Sequence, residues 1–129
     1  MQDKQVYEYA VIRFMPKVER EEFINVGVIL FSKPLKFLDL KYQVNEKRLN
    51  AFDLIDIEKQ EIEAYLNTWK LICEGGSKGG VIGEQDLPSR FRWLTATRST
   101  LIQSSKVHPG LCVEEPQVIL ERLFEKYVL

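Results

Sequence analysis

The chain has 129 residues, of which 45% are hydrophobic and 29% are charged, so it can bury the core of one domain and is not a disordered tail. Its 18 basic and 19 acidic residues leave a formal net charge of -1, which argues against a histone-like nucleic-acid binder or a polybasic membrane-surface protein. The two cysteines have no metal or redox spacing, and the opening residues contain no apolar leader segment. We therefore expect a single cytoplasmic domain over residues 1–129 that contacts no membrane.

Three stretches near the N-terminus have the composition of β-strands. Tyr7–Met15 is rich in aromatic and β-branched residues, and Lys36–Tyr42 alternates apolar with polar side chains, as a half-exposed strand does. Ile24–Phe31 is almost wholly apolar, which is typical of a central strand covered on both faces. Gly27 within it predicts a bulge or a close backbone approach, and Asn25 at its start needs a buried hydrogen-bond partner. We expect the three strands to form an antiparallel meander.

Helical signals mark three further stretches. Asn45–Phe52 predicts a short helix, and a longer helix, capped by Asp53 or Asp56, runs to about Cys73. The apolar residues of the longer helix fall on one face: Ile62, Tyr65, Leu66, Trp69, Ile72 and Cys73. A last helix opens at Glu115–Pro116, because proline is favoured in the first turn of a helix.

The part of the chain between the two long helices is less regular. Residues 75–83 are rich in glycine and predict a flexible loop, Leu87–Leu94 is short and ambiguous, and Ser99–Gln103 predicts another strand. Together the elements predict an α+β fold. A small antiparallel sheet, made of the three-stranded N-terminal meander plus a later strand, packs with a central amphipathic helix and a C-terminal helix.

The most unusual local feature is a stretch without acidic residues, Leu87–Val113, which we call the acid-free segment. Its basic residues are Arg90, Arg92, Arg98 and Lys106. In a strand, Arg90 and Arg92 would share one face. Trp93 follows them and could serve as an aromatic anchor, since arginine and tryptophan are common in the energetic centres of protein interfaces.

Hydroxyl groups cluster in the same segment. Ser99 and three threonines lie within three residues of Arg98 in the sequence. Arginine forks together with hydroxyls are suited to binding a phosphate or carboxylate group. The alternative is structural, with the arginines paired to the acidic helix over residues 56–63.

His108 is the only histidine and stands before Pro109–Gly110, in a turn-like context at the end of the acid-free segment. A histidine near a bound anion can act as a general acid or base, which makes His108 the candidate catalytic residue. No nucleophile, phosphate-binding loop or metal-ligand spacing accompanies it. The sequence therefore predicts no metal and no cofactor, and it favours a protein without catalytic activity.

Several stretches of the chain match one known pattern. They are YAVIRF at residues 9–14, REEFINVGVILF at 20–31, RFRWLTA at 90–96, RST at 98–100 and LERLF at 120–124. With these stretches the chain resembles a bacterial domain of unknown function, the family numbered 3037. Members are often encoded beside a HipA-like kinase, a relative of the toxin kinases of toxin–antitoxin modules. The resemblance therefore implies an accessory or antitoxin-like partner of such a kinase.

Two functions and one structural alternative follow. In the first, a non-catalytic regulatory protein binds a HipA-like kinase through its basic and aromatic surface, with Arg90, Arg92, Trp93, Arg98 and Ser99. In the second, the chain is a nucleotide-, phosphate- or nucleic-acid-binding module, or a phosphoryl-handling enzyme. Arg13, Arg92 and Arg98 would then hold the phosphate, with Asn25 and His108 nearby. In the structural alternative, the arginines only stabilise the fold and the working surface lies elsewhere.

Overall fold

A computed structural model describes residues 3–52, 56–98 and 100–129. In these ranges five strands form one antiparallel sheet: β1 (Gln5–Phe14), β2 (Ile24–Ser32), β3 (Phe37–Tyr42), β4 (Ile102–Ser104) and β5 (His108–Cys112). The order is β3-β2-β1-β4. On the side of β1 away from β2, β5 pairs with its first half and β4 with its second half. The predicted meander is confirmed: β2 is an interior strand between β1 and β3, buried on both faces, and β1 pairs with three strands.

Helices account for most of the remaining chain. They are α1 (Glu46–Leu49), α2 (Lys59–Glu74), α3 (Gly80–Gly83), α4 (Leu87–Leu94) and α5 (Pro116–Tyr127), with 3-10 turns at Val18–Arg20 and Ser77–Gly79. This confirms the α+β class. The residue that precedes α2 is Glu58, so Asp56 is not its cap, and Asp53 lies outside the described residues. None of these helices combines the length and the apolar character that crossing a bilayer requires.

The two faces of the sheet are covered unequally. Helices α2 and α4 pack on one face over the larger core, which includes Ile12, Ile29, Leu66 and Phe91. The other face carries α5, which contacts β2 and β3 over a smaller core that includes Leu30. A helix is about 10 Å wide and strands lie about 4.8 Å apart, so one helix covers about two strands. The α5 face of β1 and β5 therefore extends beyond the helix.

A β-bulge in β2 reverses the direction of its side chains. Ile12 pairs with Gly27 and Arg13 with Asn25, which leaves Val26 as the extra residue. Val28 faces α5, whereas Val26 packs into the larger core, and Asn25 is turned to the α5 face. The prediction of a bulge at this glycine is confirmed.

Three local features differ from the expected structure or had been left open by the sequence. Leu87–Leu94 is a helix that starts at the cap Asp86, so Arg90 and Arg92 do not share a face. The strand predicted at Ser99–Gln103 is β4, which begins only at Ile102, and Ser99 is outside the described residues. His108 is the first residue of β5 and does not lie in a turn.

The Pro-Gly pair that suggested a turn fits the strand for a local reason. β5 lies at an edge of the sheet, where the missing N–H of Pro109 is tolerated. Across from it, the ring of Tyr7 covers Gly110, and a Cβ there would lie 2.3 Å from Tyr7 Cζ. The glycine-rich residues 75–83 pass through a 3-10 turn and α3, and their flexibility stays a prediction.

We predict that Gly27→Ala destabilises the fold. The added methyl group would lie 2.9 Å from the carbonyl oxygen of Lys41 and 3.2 Å from Cβ of Tyr42, both in the neighbouring strand. Overpacking of this kind costs about 1–3 kcal/mol. Denaturant unfolding measures the change, and an unaltered free energy of unfolding would contradict the close approach of β2 and β3.

Candidate functional site

Arg90, near the start of the acid-free segment, is used within the fold. It lies in α4 and is 9% exposed. Its Nη1 donates to the carbonyl oxygens of Ile72 and Cys73 at 2.9 and 2.7 Å, and its Nε donates to that of Gln85 at 3.0 Å. The last carbonyls of a helix have no partner inside the helix, so Arg90 closes the C-terminal end of α2. Arg90 therefore has a structural role, which was one of the two alternatives that the sequence left open for it.

Arg92, two residues further on, points to solvent. Its Nη2 donates to both carboxylate oxygens of Glu8 in β1, at 3.0 and 2.9 Å. More than half of the Arg92 side chain is exposed, and an ion pair in that setting is screened by water. The predicted pairing with the acidic residues 56–63 is therefore replaced by contacts with α2 carbonyls and with β1.

Arg98 lies between two tryptophans. The guanidinium carbon is 4.6 Å from the ring centre of Trp93 and 5.4 Å from that of Trp69, and Nη2 donates to the carbonyl oxygen of Trp93. Partial burial lowers the pKa of the Arg98 guanidinium from its ordinary value. These side chains line a groove of about 500 Å³ together with Tyr65 and residues 100–102. We call it the aromatic groove; it opens on the face of the molecule that carries α2 and α4.

A second cavity lies on the opposite face, beside α5. It has a volume of about 290 Å³ and is lined by Tyr9, Val11, Arg13, Phe23, Asn25, Ser105, His108 and Tyr127. We call it the polar pocket. It forms because α5 covers β2 and β3, whereas β1 and β5 continue past it. Its walls contain one guanidinium group and no carboxylate.

Asn25 and Arg13 face each other across the β1/β2 pair in this pocket. Asn25 Nδ2 donates to the carbonyl oxygen of Tyr127 at 3.0 Å, which confirms that this amide has a partner. The guanidinium carbon of Arg13 lies 4.2 Å from the ring centre of Phe23. Arg13 Nε and Asn25 Oδ1 are buried, and neither has a hydrogen-bond partner among the described residues.

A pair of tyrosines closes one side of the pocket. The hydroxyl groups of Tyr9 and Tyr127 are 3.2 Å apart, and the ring centres of Tyr9 and His108 are 5.3 Å apart. The hydrogen bond to Tyr127, with some burial, raises the pKa of Tyr9 to about 12. The same hydrogen bond lowers the pKa of Tyr127, since the Tyr9 hydroxyl stabilises the Tyr127 phenolate.

The structure thus divides the residues that the sequence singled out. Arg13, Asn25 and His108 meet in the polar pocket, whereas Trp93 and Arg98 line the aromatic groove on the other face. Arg90 is inside the fold, Arg92 is at the surface, and Ser99 is not described.

Sequence reasoning missed several residues of the pocket: Tyr9, Phe23, Ser105 and Tyr127. For one of them a signal existed, because Tyr9 and Arg13 are four residues apart in one strand and must share a face. The others depend on how α5 and the hairpin meet β1. Among the described residues, no group of three or more histidine, cysteine, aspartate or glutamate side chains is placed to hold a metal ion.

The family resemblance is confirmed. A family model described as "Protein of unknown function (DUF3037)" matches residues 9–128, and the chain belongs to this family. The match includes every strand and helix described above except the first residues of β1. No curated protein and no solved structure matches the chain significantly.

We predict that two neighbouring arginines differ sharply in their contribution to stability. Arg90→Met removes the donor from three carbonyl oxygens, two of them in buried hydrogen bonds, so it lowers the free energy of unfolding by about 3 kcal/mol. Arg92→Met removes only an exposed ion pair, which is worth less than about 1 kcal/mol. Urea unfolding of both variants makes the comparison, and equal losses would contradict the assigned roles.

We predict that Tyr127→Phe lowers the pKa of Tyr9 from about 12 towards its ordinary 10.0, because the hydrogen bond that raises it is lost. In the wild type the pKa of Tyr9 is higher in the folded protein than in the unfolded chain. The stability contributed by Tyr9 is therefore complete below pH 10 and is lost as the pH rises towards 12. Tyrosinate absorbance as a function of pH measures the titration. Tyr65→Phe, on the far side of the sheet, is the control and should leave the pKa of Tyr9 at about 12. If Tyr127→Phe also leaves it there, the two hydroxyl groups are not in contact.

Proposed function

We propose that this protein is a non-catalytic accessory subunit that binds a partner protein through the aromatic groove. The family context described above suggests a HipA-like kinase as the partner. Regulation of that kinase, in the manner of an antitoxin, is the role that such a complex would have.

The observation that carries this proposal is the packing of Arg98 between two indole rings at the mouth of an open groove. Trp93 is 41% exposed and Tyr65 is 55% exposed, although both side chains are large and largely apolar. Exposed aromatic groups that surround a cation are typical of the centres of protein interfaces, where tryptophan, tyrosine and arginine supply most of the binding energy. The rings also hold the guanidinium in one orientation, which reduces the entropy lost on binding.

The charges around Arg98 indicate which side chains the partner should carry. None of the described carboxylates forms an ion pair with Arg98. The acid-free segment places no acidic residue within eleven positions of Arg98 on the N-terminal side or fifteen on the C-terminal side. A carboxylate on the partner would therefore meet a guanidinium that no described carboxylate pairs with, and an apolar or aromatic side chain beside it would fill the groove.

The alternative function, a phosphate site built from Arg13, Arg92 and Arg98, is less well supported. Arg13 projects from β1 towards the α5 face, whereas Arg98 lies in the groove on the α2 face. Arg92 is engaged by Glu8. One phosphate group cannot lie on both faces of the sheet, so these three side chains do not form a common site.

We predict that Trp93→Ala and Arg98→Ala each weaken binding to the HipA-like kinase of the same host by about thirtyfold or more, as expected for central interface residues. The two proteins are purified separately, and their affinity is measured by calorimetry. The preceding step is a pull-down with the tagged chain, in which the kinase should be recovered in stoichiometric amount.

The matched controls are Arg122→Ala and Leu111→Ala, which remove an exposed arginine and an exposed apolar side chain outside the aromatic groove. Both should bind the kinase as the wild type does. If the groove variants remain folded and bind with unchanged affinity, the groove is not the interface. If the wild-type chain does not bind the kinase at all, the partner is wrong.

A further inference from the structure

The polar pocket contains an arginine that the fold does not use. Arg90, the buried arginine of α4, donates three hydrogen bonds to carbonyl oxygens. Arg13 is also partly buried, yet its guanidinium group makes no hydrogen bond and no ion pair with any residue in the described ranges. Five N–H donors on a partly buried cation normally find acceptors, since an unsatisfied polar group costs free energy. The contrast distinguishes a structural arginine from one that is available to a ligand.

The contact that holds Arg13 leaves its charge exposed to the pocket. Its guanidinium lies against the ring of Phe23, which attracts a cation without neutralising it. The nearest polar group across the strand pair is Asn25, whose side chain carries no net charge. The walls of the pocket contain this one cation and no carboxylate, which favours an anionic ligand.

The orientation of Asn25 is determined by its own hydrogen bond. Nδ2 donates to the carbonyl oxygen of Tyr127, so a flipped amide would bring two oxygens together. Oδ1 is therefore directed to the other side and provides only an acceptor. Asn25 cannot bind an anion in this orientation, and its role is to position Tyr127 and the end of α5 beside the pocket.

The other walls are aromatic. Tyr9, Phe23, His108 and Tyr127 surround the space, and the ring of Tyr9 is tilted by 37° to that of His108. In the tyrosine pair only one hydroxyl donates to the other, so the second retains a hydrogen that it can donate to a ligand. Flat apolar walls with one cation and one hydroxyl donor suit an anion that has a planar apolar body better than a fully hydrated ion.

We infer that the polar pocket binds a small planar carboxylate. The carboxylate accepts hydrogen bonds from the Arg13 fork and from the hydroxyl of the tyrosine pair, and the apolar body packs between the rings of Phe23, Tyr9 and His108. Arginine matches a carboxylate with two parallel hydrogen bonds, which is why this pairing is the stronger one. A volume of about 290 Å³ is at the lower end for ligand pockets, so the ligand has the size of a single ring and is smaller than a nucleotide. This site is independent of the aromatic groove.

Benzoate is the probe, because it is a planar carboxylate of the right size. We measure binding to the whole chain by two-dimensional ¹H–¹⁵N NMR and expect shifts confined to the amides around Tyr9, Asn25 and His108. Benzamide has the same shape without the charge, and acetate has the charge without the ring. Both should bind at least about tenfold more weakly than benzoate.

Arg13→Gln should weaken benzoate binding by about tenfold or more, because it removes the charge and the fork. Arg122→Gln, which removes an exposed arginine paired with Glu114, is the matched control and should leave binding unchanged. If Arg13→Gln does not fold, the comparison of benzoate with benzamide on the wild type decides the question.

Three results would overturn the inference. Benzamide could bind as tightly as benzoate, which would show that charge is not recognised. Inorganic phosphate could bind more tightly than benzoate, which would assign the pocket to a different class of anion. Benzoate could cause no shifts around the pocket. None of these results bears on kinase binding through the aromatic groove, so the two proposals fail independently.

Discussion

The bulge in β2 is the constraint on which the polar side of this molecule depends. In an unbroken strand Asn25 would share a face with Gly27, Ile29 and Phe31, and its amide would point into the larger core without a partner. The extra residue at Val26 shifts the alternation by one, so an apolar side chain takes the core position and the amide turns to α5. Because Arg13 is its partner across the strands, the same shift brings amide and guanidinium together at the edge of that helix.

Unequal coverage of the sheet then separates two surfaces with different chemistry. On one face α2 and α4 bury most of the core, and the residues after α4 continue into a groove where Arg98 lies between two indole rings. On the other face a single helix covers two strands and leaves the side chains of β1 beside it partly open. The two proposed sites therefore have no lining residue in common.

Much of the fold was predictable from local patterns. The meander, the start of the last helix at Pro116 and the irregularity at Gly27 follow from alternation, capping and backbone preferences. The sequence left Leu87–Leu94 ambiguous, because its basic and aromatic residues alternate. It is helical, since Asp86 caps it and Phe91 reaches the larger core. The prediction failed at His108, where Pro-Gly resembles a turn but lies in an edge strand against Tyr7.

By itself, the sequence determined the class of fold, the order of its main elements and the candidate functional residues, since these depend on neighbours along the chain. Only the tertiary structure decided what each arginine does. Arg90, Arg92 and Arg98 lie within nine residues, yet one closes a helix end, one pairs at the surface and one stacks between rings. Arg13, remote from them in sequence, is the one left without a hydrogen bond among the described residues. The role of a long charged side chain depends on which acceptors the folded chain brings within its reach, and those acceptors come from distant elements.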